Sequence, residues 1–331
     1  MLRKFLSIVL CAMMLITTVG TASAAVTPED MQSKLGAVEK AAYGGEQTGA
    51  ILDRINHLEK DFTGAHPTSS IMERVDKLYN MMFDNQSGPS VLTQLNAVEW
   101  TVSRKVSMEP VQKRVGDIET TLAGKQSEGT YLKRIDTLAG YAYGAKPIPL
   151  TQIGVPANSL VKISLDTPIN AKNIKVGDVI QYHAAEDIIS NGMLIYAQGG
   201  KGVGEVTKVI RAQNFGRDAK VVVDFKNLTA IDGTQTEMIL GKEAQEKMEH
   251  MAMAAGASIA GIAILGPIGV IGGAFVKGKN IDLPAGTELY IQTKNDETLY
   301  GLETGTTLNN LKIAEPEKKE EDKAADNNKA E

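Results

Sequence analysis

Residues 31–50, MQSKLGAVEKAAYGGEQTGA, run without a gap into ILDRINHLEKDFTGAHPTSS (51–70), IMERVDKLYNMMFDNQSGPS (71–90), VLTQLNAVEWTVSRKVSMEP (91–110), VQKRVGDIETTLAGKQSEGT (111–130) and YLKRIDTLAGYAYG (131–144). Stepped by twenty, the six segments match column by column, which is the mark of a repeat architecture. One column holds Met31, Ile51, Ile71, Val91, Val111 and Tyr131, and four residues on come Leu35, Ile55, Val75, Leu95, Val115 and Ile135. Val38, Leu58, Leu78, Val98, Ile118 and Leu138 follow, then Ala42, Phe62, Met82, Val102, Leu122 and Ala142. Offsets of four, three and four put all four columns on one face of a helix. Each segment is therefore expected to be a short amphipathic helix. Thr27-Pro28, Ser70 with Glu73, and Thr130 are its start signals, and Gly44, Gly64, Gly124 and Gly144 its stops. Loops such as Gly64-Ala65-His66-Pro67 and Asn85-Gln86-Ser87-Gly88-Pro89 exclude one long coiled coil. No single repeat can bury its stripe alone, so neighbours must stack, and loops of about six residues favour antiparallel neighbours in a zigzag bundle or short solenoid.

Two further columns are charged: Lys34, Arg54, Arg74, Arg114 and Arg134, with Gln94 the exception, then Glu39, Glu59, Glu99 and Glu119. Five residues apart on one helix, they are poor intrahelical partners. The expectation is a solvated face, with an inter-repeat ion-pair ladder or a ligand-binding stripe as the alternatives. Trp100 and Met81-Met82 fall at helical spacing and are expected to fill the core.

From Pro149 onward the apolar period becomes two, with strands expected at Leu160–Leu165, Val179–His183, Met193–Tyr196, Gly202–Ile210 and Lys220–Phe225. Turn signals separate them at Val176-Gly177-Asp178, Ser190-Asn191-Gly192, Asn214-Phe215-Gly216-Arg217 and Asp232-Gly233. Val155-Pro156-Ala157-Asn158-Ser159 recurs as Leu283-Pro284-Ala285-Gly286-Thr287, so the chain returns to the same β-fold after residue 280. Between lies Met251–Val276, which carries no charge but contains Gly256, Gly261, Gly266, Pro267, Gly269, Gly272 and Gly273. Small residues at this density let helices approach closely. Pro267 divides the segment, and neither half reaches the ~20 residues of a membrane span. Two readings stay open: a Gly-rich helical hairpin packed on its own sheet, and one that contacts a membrane or forms an oligomer. The polar helix Lys242–His250 is expected to be a surface lead-in. The fold class is thus α+β: six short antiparallel helices, then an antiparallel β-barrel or sandwich with an apolar helical insertion.

Val155-Pro156-Ala157-x-Ser159, Gly177-Asp178, Gly192-x-x-x-Tyr196-Ala197-x-Gly199, Gly204-Glu205-Val206, Gly216-Arg217, Asp232-Gly233 and Pro284-Ala285-Gly286-Thr287 occur in an order that resembles the β-barrel domain of TrbI-like type IV secretion channel proteins. The resemblance covers roughly residues 150–295. It implies a barrel carrying a two-helix outer-membrane antenna at the place of the insertion. This chain departs from that family in having helical repeats where the family has a Pro-rich linker. The repeat half resembles helical repeats of uncharacterised envelope proteins of diderm Firmicutes.

The N-terminal end carries Arg3 and Lys4, an apolar stretch Phe5–Ile16, and Ala22-Ser23-Ala24, the pattern of a signal peptide cleaved after Ala24. Cleavage would remove Cys11, the single cysteine, and take the net charge from −5 to −7 through the loss of Arg3 and Lys4. A cysteine-free exported chain has no disulfide, metal thiolate or thiol nucleophile, and its negative charge disfavours nucleic acid as a partner. The organisation expected is a signal peptide at 1–24, repeats at 25–147, a β-domain at 148–312 and a disordered charged tail at 313–331.

No catalytic constellation stands out. Gly273-x-x-x-x-Gly278-Lys279-Asn280 fails as a phosphate loop because Asn280 replaces the Ser or Thr that would hold magnesium. Gly200-Lys201-Gly202-Val203-Gly204 enters a strand and is expected to be a turn. His57, His66, His183 and His250 lack ligand spacing. Asp166, Asp178, Glu186 and Asp187 share one β-region but define no carboxylate pair. The expectation is a non-enzymatic envelope scaffold in the periplasm or at the outer membrane, without cofactor. Its repeats would serve as spacer or binding module for an envelope partner, and residues 251–276 as membrane or oligomer contact. The alternatives are a secreted adhesin or matrix component and, less favoured, an envelope glycan hydrolase.

Overall fold

The computed structural model describes residues 30–212, 219–254, 263–264, 274–278 and 281–305. The signal peptide, the charged tail, the turn expected at 214–217, the phosphate-loop-like Gly273 and Lys279, and the glycines and proline singled out in the insertion lie outside the described residues. All six repeats are helices: α1 (Met31–Tyr43), α2 (Ile51–Phe62), α3 (Ile71–Phe83), α4 (Val91–Ser103), α5 (Val111–Ala123) and α6 (Tyr131–Tyr143). Asp30, rather than Thr27, caps α1, its carboxylate accepting from the Ser33 amide at 2.7 Å. Ser70 and Glu73 form a reciprocal capping box on α3, and Ser90 and Thr130 cap α4 and α6. The Leu35 and Val38 columns are buried in all six repeats and the outer two columns in part, with Ile55, Leu58, Phe62, Val75, Met82, Leu95 and Val98 wholly buried and Ile71 exposed.

Lys34 and Asp76, both early in their helices, pair at 2.5 Å, and Thr101 and Tyr143, both late in theirs, bond at 2.6 Å. Hence α1 runs beside α3 and α4 beside α6 in the same direction, as an up-and-down zigzag requires. The array divides into two threes, α1–α3 and α4–α6, related by a shift of sixty residues.

The β-half contains β1 (Leu150–Val155), β2 (Leu160–Leu165), β3 (Ile169–Asn170), β4 (Val179–Ala184), β5 (Ile188–Ser190), β6 (Met193–Tyr196), β7 (Lys201–Ile210), β8 (Ala219–Thr229) and β9 (Gln235–Ile239). After helix α7 (Lys242–Ala254) come β10 (Ala263–Ile264), β11 (Ala274–Gly278), β12 (Asp282–Leu283), β13 (Glu288–Thr293) and β14 (Glu297–Glu303). Six antiparallel strands in the order β8-β7-β4-β2-β13-β9 close into a barrel through a β8–β9 pairing. Closure depends on the length of β8: residues 227–229 pair with β9, while residues 219–223 pair with β11. A second sheet, β1-β14-β6-β5, lies beside the barrel.

The two matched motifs are turns at opposite ends of the β2–β13 pair. Asn158 and Gly286 both take positive φ, 67° and 86°, and Ser159 and Thr287 each donate a hydroxyl to the proline carbonyl three residues back, at 2.7 Å. The Asn158 amide bonds Thr293 O, and the Gly286 amide bonds Leu165 O, in a local two-fold relation. The barrel interior is filled by Val161, Ile163, Ile180, Tyr182, Val206, Val221, Phe225 and Ile291.

Gly200–Gly204 is not the expected turn, because the chain enters β7 at Lys201. Its glycines make room: a Cβ at Gly202 would stand 2.2 Å from the Tyr182 ring. Helix α7 is less of a surface element than its polarity implied. Ala244 and Met248 are buried, and the Gln292 side chain of β13 accepts from the Ala244 amide at 3.0 Å. Of the insertion, α7 runs on to Ala254, and β11 supplies a strand beside β8.

Candidate functional site

The charged columns are not a solvated face. Arg54 binds Glu39, Arg74 binds Glu59, Arg114 binds Glu99 and Arg134 binds Glu119, each arginine reaching the carboxylate of the preceding helix. All four carboxylates are buried, as are Arg74 and Arg114. Arg54 and Arg134 are bidentate: Nε stands 2.7 and 2.9 Å from Oε1, and Nη2 stands 2.6 Å from Oε2 in both. The same carboxylates organise the loops, since Glu39, Glu99 and Glu119 accept the amides of Gln47, Ser107 and Ser127 at 2.9, 3.1 and 3.0 Å. The corresponding residue after Glu59 is Pro67, which has no N–H to give. Asn56 and Asn96 accept from Arg74 and Arg114 at 2.6 and 2.7 Å. In the first and fifth repeats that column is glycine, and the side chains of Glu46 and Gln126 lie over Gly36 and Gly116.

The ladder is interrupted once. Where the third repeat would offer Glu it has Tyr79, and where the fourth would offer Arg it has Gln94. Both partners are lost together at the junction of the two threes. A ligand stripe is excluded for the described residues of the ladder, because its charges are consumed internally.

A second polar network joins the helices to the β-half. Around the Asp232-Gly233 turn, Thr93 Oγ1 donates to Asp232 O at 2.7 Å, Asn85 Nδ2 to the same oxygen at 2.9 Å, and Asn96 Nδ2 to Ile231 O at 2.8 Å. Asp232 in turn accepts the amides of Thr234 and Tyr300, each at 2.9 Å. Burial pushes its carboxyl above the ordinary carboxylate value, against the pull of those amides. Trp100 fills the core and also makes one polar contact there, its Nε1 donating to Asp187 at 2.9 Å, while the Arg104 guanidinium lies 4.5 Å over its ring. Leu194, Ala197, Ile231 and Leu302 of the β-half belong to the same apolar cluster as the helical core. This joint was missed from sequence, because Asn96 and Thr93 sit outside the apolar columns and their partners are distant backbone carbonyls.

The remaining candidates are dispersed. Asp166 faces His183 Nδ1 at 2.7 Å and Lys201 at 3.2 Å, Asp178 accepts the Lys175 amide, Glu186 lies 3.9 Å from Lys162, and Asp187 belongs to the joint. His57 lies 3.1 Å from Asp61, and His66 and His250 are exposed. Among the described residues no cluster of His, Cys, Asp and Glu could hold a metal, and no helix is long and apolar enough to cross a membrane.

One cleft, of about 580 Å³, opens between α4, α6 and the segment entering β1, lined by Pro89, Gln94, Asp136, Ala139, Ile148 and Leu150 among others.

No family model matches the chain, and no curated protein matches it. Among solved structures, ComB10 of the Com type IV secretion system of Helicobacter pylori is similar over 43% of this chain and 88% of that one, at 13% identity and a TM-score of 0.25. At that score the likeness carries no weight for function.

Proposed function

We propose that the chain is a non-catalytic scaffold of the cell envelope, exported by its N-terminal signal and tethered or assembled through residues 251–276. The observation that carries this reading is the joint. Thr93, Asn96 and Trp100 bind β-half groups from inside a shared apolar core, so the helical array is held in a fixed attitude to the barrel. A spacer needs that stiffness. Glu39, Glu59, Glu99 and Glu119 with their arginines, and Asp166, Asp178 and Asp187, have structural partners in the ladder, the turns and the joint. On this reading the helical repeats offer the surface for an envelope partner and residues 251–276 supply the tether.

Fractionation of the producing cells tests this, comparing the wild type with a chain lacking 251–276. The expected outcome is wild-type protein in the membrane fraction, or a larger oligomer, with both properties lost on deletion. A wild type that is freely soluble and unchanged in oligomer size by the deletion sinks the anchoring role. Digestion by added protease on intact cells would show a surface adhesin instead.

A further inference from the structure

The two threes of the helical array differ in how they treat one acidic position. In the first, Lys34 crosses from α1 to α3, its Nζ 2.5 Å from Asp76 Oδ1 and 5.8 Å from the Tyr79 ring centroid. Sixty residues on, the acid is kept as Asp136, but Lys34 is replaced by Gln94 and Tyr79 by Ala139. These three residues line the 580 Å³ cleft. Gln94 does not take the lysine's place, its Nε2 donating instead to Pro89 O at 2.9 Å. Among the described residues Asp136 has no hydrogen bond or ion pair, and Lys146 at the cleft edge is exposed and unpaired with it. The cleft is therefore the place that the first three fill with an ammonium on an alkyl stem beside an aromatic ring.

We infer that this cleft binds an alkylammonium group supplied from outside the helical array, with Asp136 as its counter-ion and Pro89, Ala139, Ile148 and Leu150 along its stem. Two sources carry that chemistry, a lysine side chain of a partner protein and a free diamine. The inference specifies a site on the proposed binding module, but it stands or falls without the envelope tether, since it is read on the purified chain.

Ligand-observed NMR titration of the full chain tests it, with Nα-acetyl-lysine methylamide and 1,5-diaminopentane as probes. Saturable binding of either is expected, and which of the two binds more tightly tells the source. The Nε-acetylated lysine derivative, which has lost its charge, should bind at least about tenfold more weakly, and so should the amine to Asp136→Asn. Asp136 has no partner to lose, so that variant should melt with the wild type. The pair Gln94→Lys with Ala139→Tyr, which copies the first three, should abolish binding and raise the melting temperature. The site is refuted by absence of saturable binding, by equal binding of amine and acetylated probe, or by undiminished binding to Asp136→Asn.

Discussion

Arg114 reaches back fifteen residues to Glu99, with Nε at 2.9 Å and Nη2 at 2.5 Å from the same oxygen, Oε2, and is the most deeply buried arginine of the ladder. Its Nη2 also donates to Asn96, whose amide bonds Ile231 O. One arginine thus connects three consecutive links: the fifth helix, the fourth helix and the β-half.

Removing one member of such a pair strands a buried charge, at a cost of about 3–5 kcal/mol, whereas replacing both with apolar groups of similar size costs much less. Arg114→Met should therefore destabilise strongly in urea titrations, and Arg114→Met with Glu99→Met should recover most of the loss. Lys113→Ala, which removes an exposed pair with Asp117, should leave the midpoint unchanged. Equal effects of the single and double variants would show that the rung is not coupled.

Glu119 gives the ladder a pH signature. Burial opposes its ionisation, but the bonds from Arg134 and the Ser127 amide outweigh this and hold its carboxyl below the ordinary value of 4.5. A carboxylate whose folded value is depressed contributes stability above its unfolded value and loses it as pH falls through the folded one. The gap in stability between wild type and Glu119→Gln should be full at neutral pH and narrow below about pH 4.5. Asp232, raised by burial, works in the opposite sense: its contribution is present below its ordinary 3.8 and lost as pH rises through the folded value. A Glu119→Gln gap that stays constant down to about pH 3 would contradict the rung.

The barrel has its own sensitive point. Tyr182 and Phe225 meet edge to face at 5.4 Å, and the Tyr182 hydroxyl donates to Asn227 O at 2.8 Å, over the bare backbone of Gly202. A methyl at Gly202 would meet both the ring and the Asn227 carbonyl oxygen, 2.7 Å away. Overpacking of this kind costs about 1–3 kcal/mol or more, so Gly202→Ala should lower the melting temperature by several degrees. Gly286→Ala in the exposed turn has no such neighbour and tests positive φ alone.

The helices were legible because one period, twenty residues, carried every apolar column; the two middle columns are buried in all six repeats, while the outer ones loosen at positions such as Ile71 and Leu122. The ladder was half legible. Arg and Glu stood in register, but five residues apart they have no natural partner on their own helix. Only the folded zigzag shows that Arg114 belongs with Glu99, fifteen residues away. The simultaneous loss of Glu at Tyr79 and Arg at Gln94 was the available sign that these columns pair between repeats. The joint left no such sign, because Thr93 and Asn96 bind carbonyl oxygens, which every residue possesses. Gly202 and Gly204 resembled turn residues because glycine serves loops and crowded strands alike.

The joint makes the last prediction. Trp100, the single tryptophan, sits at the helix end of a contact whose other side is Asp187, so its fluorescence reports on the joint itself. With one apolar cluster running from the helices into Leu194 and Leu302, the wild type should unfold in a single step seen alike by fluorescence and by far-ultraviolet circular dichroism. Thr93→Val with Asn96→Ala leaves the Ile231 carbonyl without its side-chain donor and removes one of two donors from Asp232 O. Unmet buried acceptors cost about 1–3 kcal/mol each. If those bonds hold the two halves together, the variant should lose the fluorescence signal at lower denaturant than the helical signal, splitting one transition into two. A variant whose two signals still fall together at the wild-type midpoint would mean that apolar packing alone joins the halves, and the fixed attitude that the scaffold reading needs would lose its specific cause.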